Sequence, residues 1–237
     1  MPNNEIIAAV RKELTHLKDD KTIGQYQRFF KEEVKFYGVK TGLVEKMAGV
    51  FFAQVKPLGK KETFKLCEEL LKSGYSEESF IACNWSYRFH TEYEPEDFYT
   101  FERWVKTYVT NWATCDTLCN HTIGALVEQY PQFIENLKDW AKSDSRWVKR
   151  AAAVTLIIPA KRGKFLKDIL VIADTLLLDK DDLVQKGYGW LLKDASIKNQ
   201  EEIFNYVMKN KKVMPRTALR YAIERMPEDL KRQAMSK

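Results

Sequence analysis

The sequence has no run of about 18 apolar residues, which excludes an ordinary membrane-spanning helix. It opens Met1-Pro2-Asn3-Asn4-Glu5, without the basic-then-apolar pattern of a secretion signal, so an intracellular, cytoplasmic protein is expected. Cysteine is scarce: Cys67, Cys83, Cys115 and Cys119 form no paired CxxC pattern. They read as small buried side chains in a reducing compartment. Cys115 and Cys119 share a helix face, but His121 points away and no fourth ligand is in sight, so no metal is expected. Low-complexity tracts and linker-like segments are missing, and residues 1–237 are taken as a single domain. No alternating apolar–polar segment bounded by turn dipeptides occurs, which argues against sheet structure.

What is present is helical periodicity. Ile6, Ile7, Val10, Leu14 and Leu17 recur at helical spacing. Helices are expected at about 3–19, 22–34, 43–55, 59–72, 76–92, 95–110, 113–129, 131–142, 145–158, 162–178, 182–195, 199–210, 214–225 and 228–235. Gly38 and Gly42 read as stops, and Pro159 alone among the prolines reads as a terminator. Short helices joined by short loops suggest an all-α solenoid. A faint register supports it: Val148-Lys149-Arg150-Ala151 resembles Val184-Gln185-Lys186-Gly187, and Pro215-Arg216-Thr217-Ala218 places its cation at a similar interval. A non-repetitive helical bundle is the competing architecture.

Charge is unevenly spread. The net charge is +6, yet residues 142–167 alone carry +7 and residues 209–220 carry +5, leaving a mildly acidic remainder. Solvated helix ends would explain either stretch. Both falling at the second-helix register favours a basic concave groove that tracks phosphates.

Three places carry candidate chemistry. Trp112 and Asp116 lie one helical turn apart at the edge of an apolar face, with Asn120 continuing that line outward. Arg150 opens onto the uncharged, almost wholly apolar run 151–160, so its helix is expected to be buried on most sides. A buried Arg needs a partner, either a carboxylate such as Asp116 or a bound phosphate. Trp190 follows Gly187-Tyr188-Gly189, with Lys186 one turn earlier on the same face. Two glycines inside a helix imply close approach, by a neighbouring helix or by a ligand.

Taken in order, Trp112-x3-Asp116, Trp147-Val148-Lys149-Arg150-Ala151-Ala152 and Val184-Gln185-Lys186-Gly187-Tyr188-Gly189-Trp190 resemble the AlkD family of DNA alkylation-repair glycosylases. Phe36-Tyr37-Gly38-Val39-Lys40 and Pro215-Arg216-Thr217-Ala218-Leu219-Arg220 resemble its N-terminal segment and last repeat, with Gly42 standing where many relatives have Pro. The resemblance implies a right-handed superhelix of HEAT-like repeats around duplex DNA, acting as a monomer without cofactor. It implies hydrolysis of the N-glycosidic bond of cationic N3- or N7-alkylated purines. Asp116 would be the catalytic carboxylate, Trp112 and Trp190 the groove indoles and Arg150 the phosphate anchor, with no base pocket. Lys149, Lys186, Arg216 and Lys40 are further candidate DNA contacts. Two other readings use the same scaffold: a non-catalytic DNA-binding module, and a helical platform for a protein partner.

Overall fold

The computed structural model describes residues 3–236, with side chains from residue 5 onward. Every regular element among them is helical; the sole β feature is an isolated parallel bridge between Lys35 and Tyr75. None of these helices is long and apolar enough to cross a membrane. The chain packs as two compact units, Met1–Leu118 and Cys119–Lys237.

The first unit contains α1 (Asn3–His16), α2 (Asp20–Gln27), α3 (Thr41–Val55), α4 (Gly59–Lys72), α5 (Ser76–Tyr87), α6 (Asp97–Tyr108) and α7 (Trp112–Thr117). The periodic residues of α1 do what their spacing requires: Ile6, Ile7, Val10 and Leu14 are all buried. Phe64, Phe101 and Trp104 form an aromatic knot between α4 and α6, with ring centroids 5.3 to 5.7 Å apart. Trp85 is fully buried on α5, and its indole donates to the Ala48 carbonyl of α3 at 2.9 Å, satisfying the one polar atom that its burial would otherwise strand.

The expected helix 22–34 ends early, at Gln27. The Gln27 side-chain amide donates to the Glu32 carbonyl and its oxygen accepts from the Val34 amide, so it satisfies a loop in place of a longer helix. Gly38 ends no helix, since α2 already stops at Gln27; it serves the loop, with φ +85° and a Cβ position only 2.2 Å from the Asp19 carbonyl oxygen. Gly42 is not a stop. It is the second residue of α3, in the first turn, where its missing side chain costs little.

The second unit begins in a π-helical segment, Leu118–Ile123. It continues through α8 (Gly124–Gln129), α9 (Ile134–Trp140), α10 (Arg146–Val154), α11 (Ile157–Lys161), α12 (Leu166–Leu176), α13 (Asp182–Ala195), α14 (Gln200–Asn210), α15 (Arg216–Ala222) and α16 (Glu228–Met235). Helix α13 is the hub, packed against α10, α11, α12 and α15. Asp181 starts it, accepting from the Leu183 and Val184 amides while Arg146 binds its other oxygen.

Pro159 does not terminate a helix. It sits inside α11, and the break falls upstream, where α10 ends at Val154. A proline has no N–H to give the carbonyl four residues before it, so a helix cannot run unbroken through Thr155. That carbonyl lies 2.8 Å from the point where a Cβ on Gly124 would stand, which explains a glycine there. Helix α12 likewise begins at Leu166, later than expected, because Gly163 (φ +79°) and Phe165 (φ +59°) turn the chain through left-handed conformations first. Asn120 does not continue outward as expected: it is buried, within the π-helical turn, whose wider winding breaks the i, i+4 register of an α-helix.

Candidate nucleic-acid interface and active site

Asn111 determines where Trp112 stands. Its side-chain oxygen caps α7 by accepting the Thr114 amide at 2.9 Å, so Trp112 is the first helical residue. The Trp112 indole is held from two directions. Its N–H donates to the Phe29 carbonyl at 3.2 Å, and its ring stacks on Phe30 at 5.0 Å with 16° between planes. Asp116 follows one turn later and is half-buried.

Beside this pair the first unit has a cavity of about 400 Å³ that opens to solvent. Tyr26, Phe30, Phe36, Phe80 and Trp112 supply most of its aromatic wall, and Ala113 and Thr117 supply the adjacent stripe of α7. Phe29 stands at it with 72% of its surface exposed. Glu77 also lines it. This carboxylate is buried and accepts three backbone amides, from Tyr37 at 3.1 Å, Gly38 at 2.8 Å and Val39 at 3.1 Å. It thereby fixes the Phe36–Lys40 loop. Its neighbour Glu78 is the one that pairs with Arg11, at 3.0 Å.

In the second unit Arg150 is buried, with 5% of its surface exposed, and donates from Nη1 to the Leu183 carbonyl. The burial expected from the apolar run after it is observed. Gly187 makes room for it: a Cβ there would meet the Arg150 Cγ at 3.3 Å. Gly189 serves a different helix, since a Cβ there would lie 2.8 Å from the Ala218 carbonyl oxygen of α15. Both glycines therefore admit neighbouring helices.

Trp190 is half-buried, and its indole N–H donates to the Asp194 carboxylate at 2.7 Å. Asp194 has no exposed surface; Arg225 approaches it at 3.3 Å and Lys161 at 3.5 Å. A network of two cations, one carboxylate and one indole thus orients Trp190.

A family model described as DNA alkylation repair enzyme matches residues 10–226. The chain belongs to the DNA alkylation repair enzyme family. A solved structure titled as a predicted DNA alkylation repair enzyme from Enterococcus faecalis superimposes with a TM-score of 0.79 at 14% identity, covering 89% of this chain and 97% of that one. At that identity the likeness is one of fold. No curated protein matches the chain.

The other candidate contacts of this DNA alkylation repair family member divide by exposure. Lys40 and Arg216 are exposed, the first as the residue preceding α3 and the second as the first residue of α15. Lys149 is ion-paired with Asp179, and Lys186 with Asp182 at 2.8 Å. Much of the 142–167 charge is also paired locally: Arg146 with Asp181, and Arg162 and Lys164 with Glu128 at 2.6 and 2.9 Å. All four cysteines are buried; burial pushes the Cys83 thiol up to about 12, away from thiolate chemistry.

Sequence reasoning missed Asp194, Glu77 and the aromatic cavity. Asp194 had a signal, because Trp190-x3-Asp194 repeats the spacing of Trp112-x3-Asp116. The cavity had none: its wall comes from four separate segments, 26–30, 36–44, 76–80 and 112–117.

Proposed function

We propose that this family member is a monofunctional DNA glycosylase that removes cationic N3- or N7-alkylated purines from duplex DNA. The observation that carries the reading is the anchored Trp112 indole one turn before the half-buried Asp116, in a chain of this family. An alkylated purine is already positively charged and leaves readily. As the N-glycosidic bond breaks, its electron pair neutralises the departing base and positive charge develops on the deoxyribose. The Asp116 carboxylate stabilises that charge and directs water to the anomeric carbon, accepting its proton. The products are the neutral base and an abasic site.

In this reading all 237 residues act together as a superhelix of HEAT-like repeats, with DNA in a basic concave groove. Trp112 and Trp190 face the sugar of the lesion through their indole rings, adding cation–π attraction as charge develops. Arg150 anchors a phosphate through its guanidinium, so that Asp116 meets the right carbon. Lys40 and Arg216, both exposed, contribute phosphate contacts, and Lys149 and Lys186 add positive potential after partial neutralisation by their acidic partners. The protein works as a monomer inside the cell.

One observation favours a second reading, a non-catalytic DNA-binding module: Arg150 is almost wholly covered and already donates to a backbone carbonyl. A single experiment separates the two. Release of N7-methylguanine from a methylated duplex is measured for the intact protein and for Asp116→Asn. Release by the first, falling by about 10²-fold or more in the second with DNA affinity retained, supports the glycosylase. Salt-sensitive DNA binding without release by either protein supports the binding module.

A further inference from the structure

Trp112 owes its place to residues 28–34, which lie outside the motifs that carry the family resemblance. Helix α2 ends at Gln27, and the chain continues in a tight turn: the Phe29 and Phe30 amides donate to the Tyr26 and Gln27 carbonyls, each at 3.0 Å. The Gln27 side chain then closes the loop, donating to the Glu32 carbonyl at 2.7 Å and accepting from the Val34 amide at 3.3 Å. Two neighbours in this turn hold the indole, the Phe29 carbonyl by its N–H and the Phe30 ring by one face. Behind Phe30 stands Phe36, with ring centroids 5.6 Å apart, and Tyr26 meets Phe36 at 5.7 Å. Phe36 in turn precedes the three amides that the buried Glu77 carboxylate holds. A continuous line of contacts thus runs from Glu77 through Phe36 and Phe30 to Trp112, all within the first unit.

The two anchors do different work. A single hydrogen bond fixes one atom of the indole and lets the ring swing about it. A nearly parallel ring at 5.0 Å fixes the plane. The plane is what matters for cation–π attraction, because the ring acts through its face. Phe30 occupies one face and the Phe29 carbonyl the polar edge, so Trp112 has its opposite face left to offer. The cavity of about 400 Å³ opens beside these rings, so no packed side chain stands ready to replace Phe30. We propose that Phe30 is a positioning residue for the reaction: its ring sets the plane of Trp112 and so aims the open indole face. The inference rests on the glycosylase reading for the reaction it serves, but the positioning itself can be tested without catalysis.

The experiment compares wild type with Phe30→Leu, Phe30→Tyr and Gln27→Leu, and places Phe30→Leu again in a Trp112→Ala background. Two quantities are read: the single-turnover rate of N7-methylguanine release from a methylated duplex, and the Trp112 indole N–H resonance in isotope-labelled protein, assigned by its loss in Trp112→Ala. A misplacement of about 1 Å can cost on the order of 10²-fold in rate, and Phe30 acts at one remove, so Phe30→Leu is expected to slow release roughly tenfold with duplex affinity kept within about twofold. It is also expected to shift the resonance, and Phe30→Tyr, which keeps the ring, to restore both. With Trp112 already removed, Phe30→Leu is expected to change the rate by less than about twofold, because the two residues act as one unit. The same tenfold loss in the Trp112→Ala background, an unmoved resonance, or a wild-type rate in Phe30→Leu would overturn the proposal. Gln27→Leu opens the loop without altering either ring, and decides the matter where Phe30→Leu does not fold: a shifted resonance with slower release supports the proposal, and wild-type behaviour in both overturns it. No release by wild type removes the glycosylase reading, and the resonance then decides by itself whether Phe30 sets the indole.

Discussion

Three Trp-x3-Asp pairs occur in this chain, Trp112–Asp116, Trp140–Asp144 and Trp190–Asp194, and their carboxylates end in different surroundings, Asp144 being exposed. Asp194 is fully buried between Trp190, Lys161 and Arg225, a position in which it can orient an indole but cannot reach a substrate. Asp116 is half-buried, and Trp112 hydrogen-bonds elsewhere, to the Phe29 carbonyl. Asp194 is therefore a structural carboxylate that orients Trp190, and Asp116 is the candidate for chemistry. Asp194→Ala is expected to remove a charge-assisted hydrogen bond and two ion pairs, costing about 2 kcal/mol of stability. It should also change the fluorescence of Trp190, checked against Trp190→Phe as a blank. Urea unfolding with an unchanged midpoint would show that Asp194 holds nothing together.

At the scale of elements, α13 shows why its sequence tolerates two glycines. Helix α10 closes on it at Gly187 through Arg150, and α15 closes on it at Gly189 through its own backbone. The two contacts differ in how much can yield. A methyl at 187 meets a flexible Arg side chain at 3.3 Å, whereas one at 189 meets the Ala218 carbonyl at 2.8 Å and the Tyr221 Cβ at 2.7 Å. Gly189→Ala is expected to force α15 away and cost about 1–3 kcal/mol, despite alanine's better helix propensity. Gly187→Ala should cost less and act on Arg150. Equilibrium unfolding of the two variants tests the order, and the reverse order would mean that α15 is the softer neighbour. The close approach itself was legible in the sequence, since nothing else explains paired glycines in a helix. Which helix approaches which glycine was not, because that depends on the packing of α10 and α15, both remote in the chain.

For the whole molecule, charge sets the pH dependence and, in the proposed reading, the DNA binding. Hydrogen bonding from Arg103 holds Glu68 below the usual carboxylate range, against its burial. For Glu128 and Asp181 burial acts upward, but the bonds from Lys164 and Arg162, and from Arg146 and the Leu183 and Val184 amides, outweigh it. A carboxylate depressed in the folded state contributes its full stability above its unfolded value and loses it as pH falls through its folded value. Stability is thus expected to hold steady above about pH 5.5 and to decline below about pH 4.5. A urea midpoint that stays level to pH 3 would contradict this. On the DNA side, much of the basic 142–167 stretch is ion-paired within its own unit, so in the proposed reading exposed cations outside it, among them Arg216 and Lys40, are left to meet phosphate. Arg216→Ala is expected to weaken binding at all sequences alike and to lower the slope of log affinity against log salt by about one; an unchanged slope would remove Arg216 from the interface. Helical class, most helix positions, the burial of Arg150 and the Trp112–Asp116 pairing were determined by the sequence itself, because periodicity, caps and glycine–proline punctuation act over a few residues. Tertiary structure alone decided which cations are already neutralised, that Asn120 turns inward, and that four separate segments line an aromatic cavity with Glu77 on its wall. Those outcomes depend on which distant side chains meet, and local spacing carries no information about that.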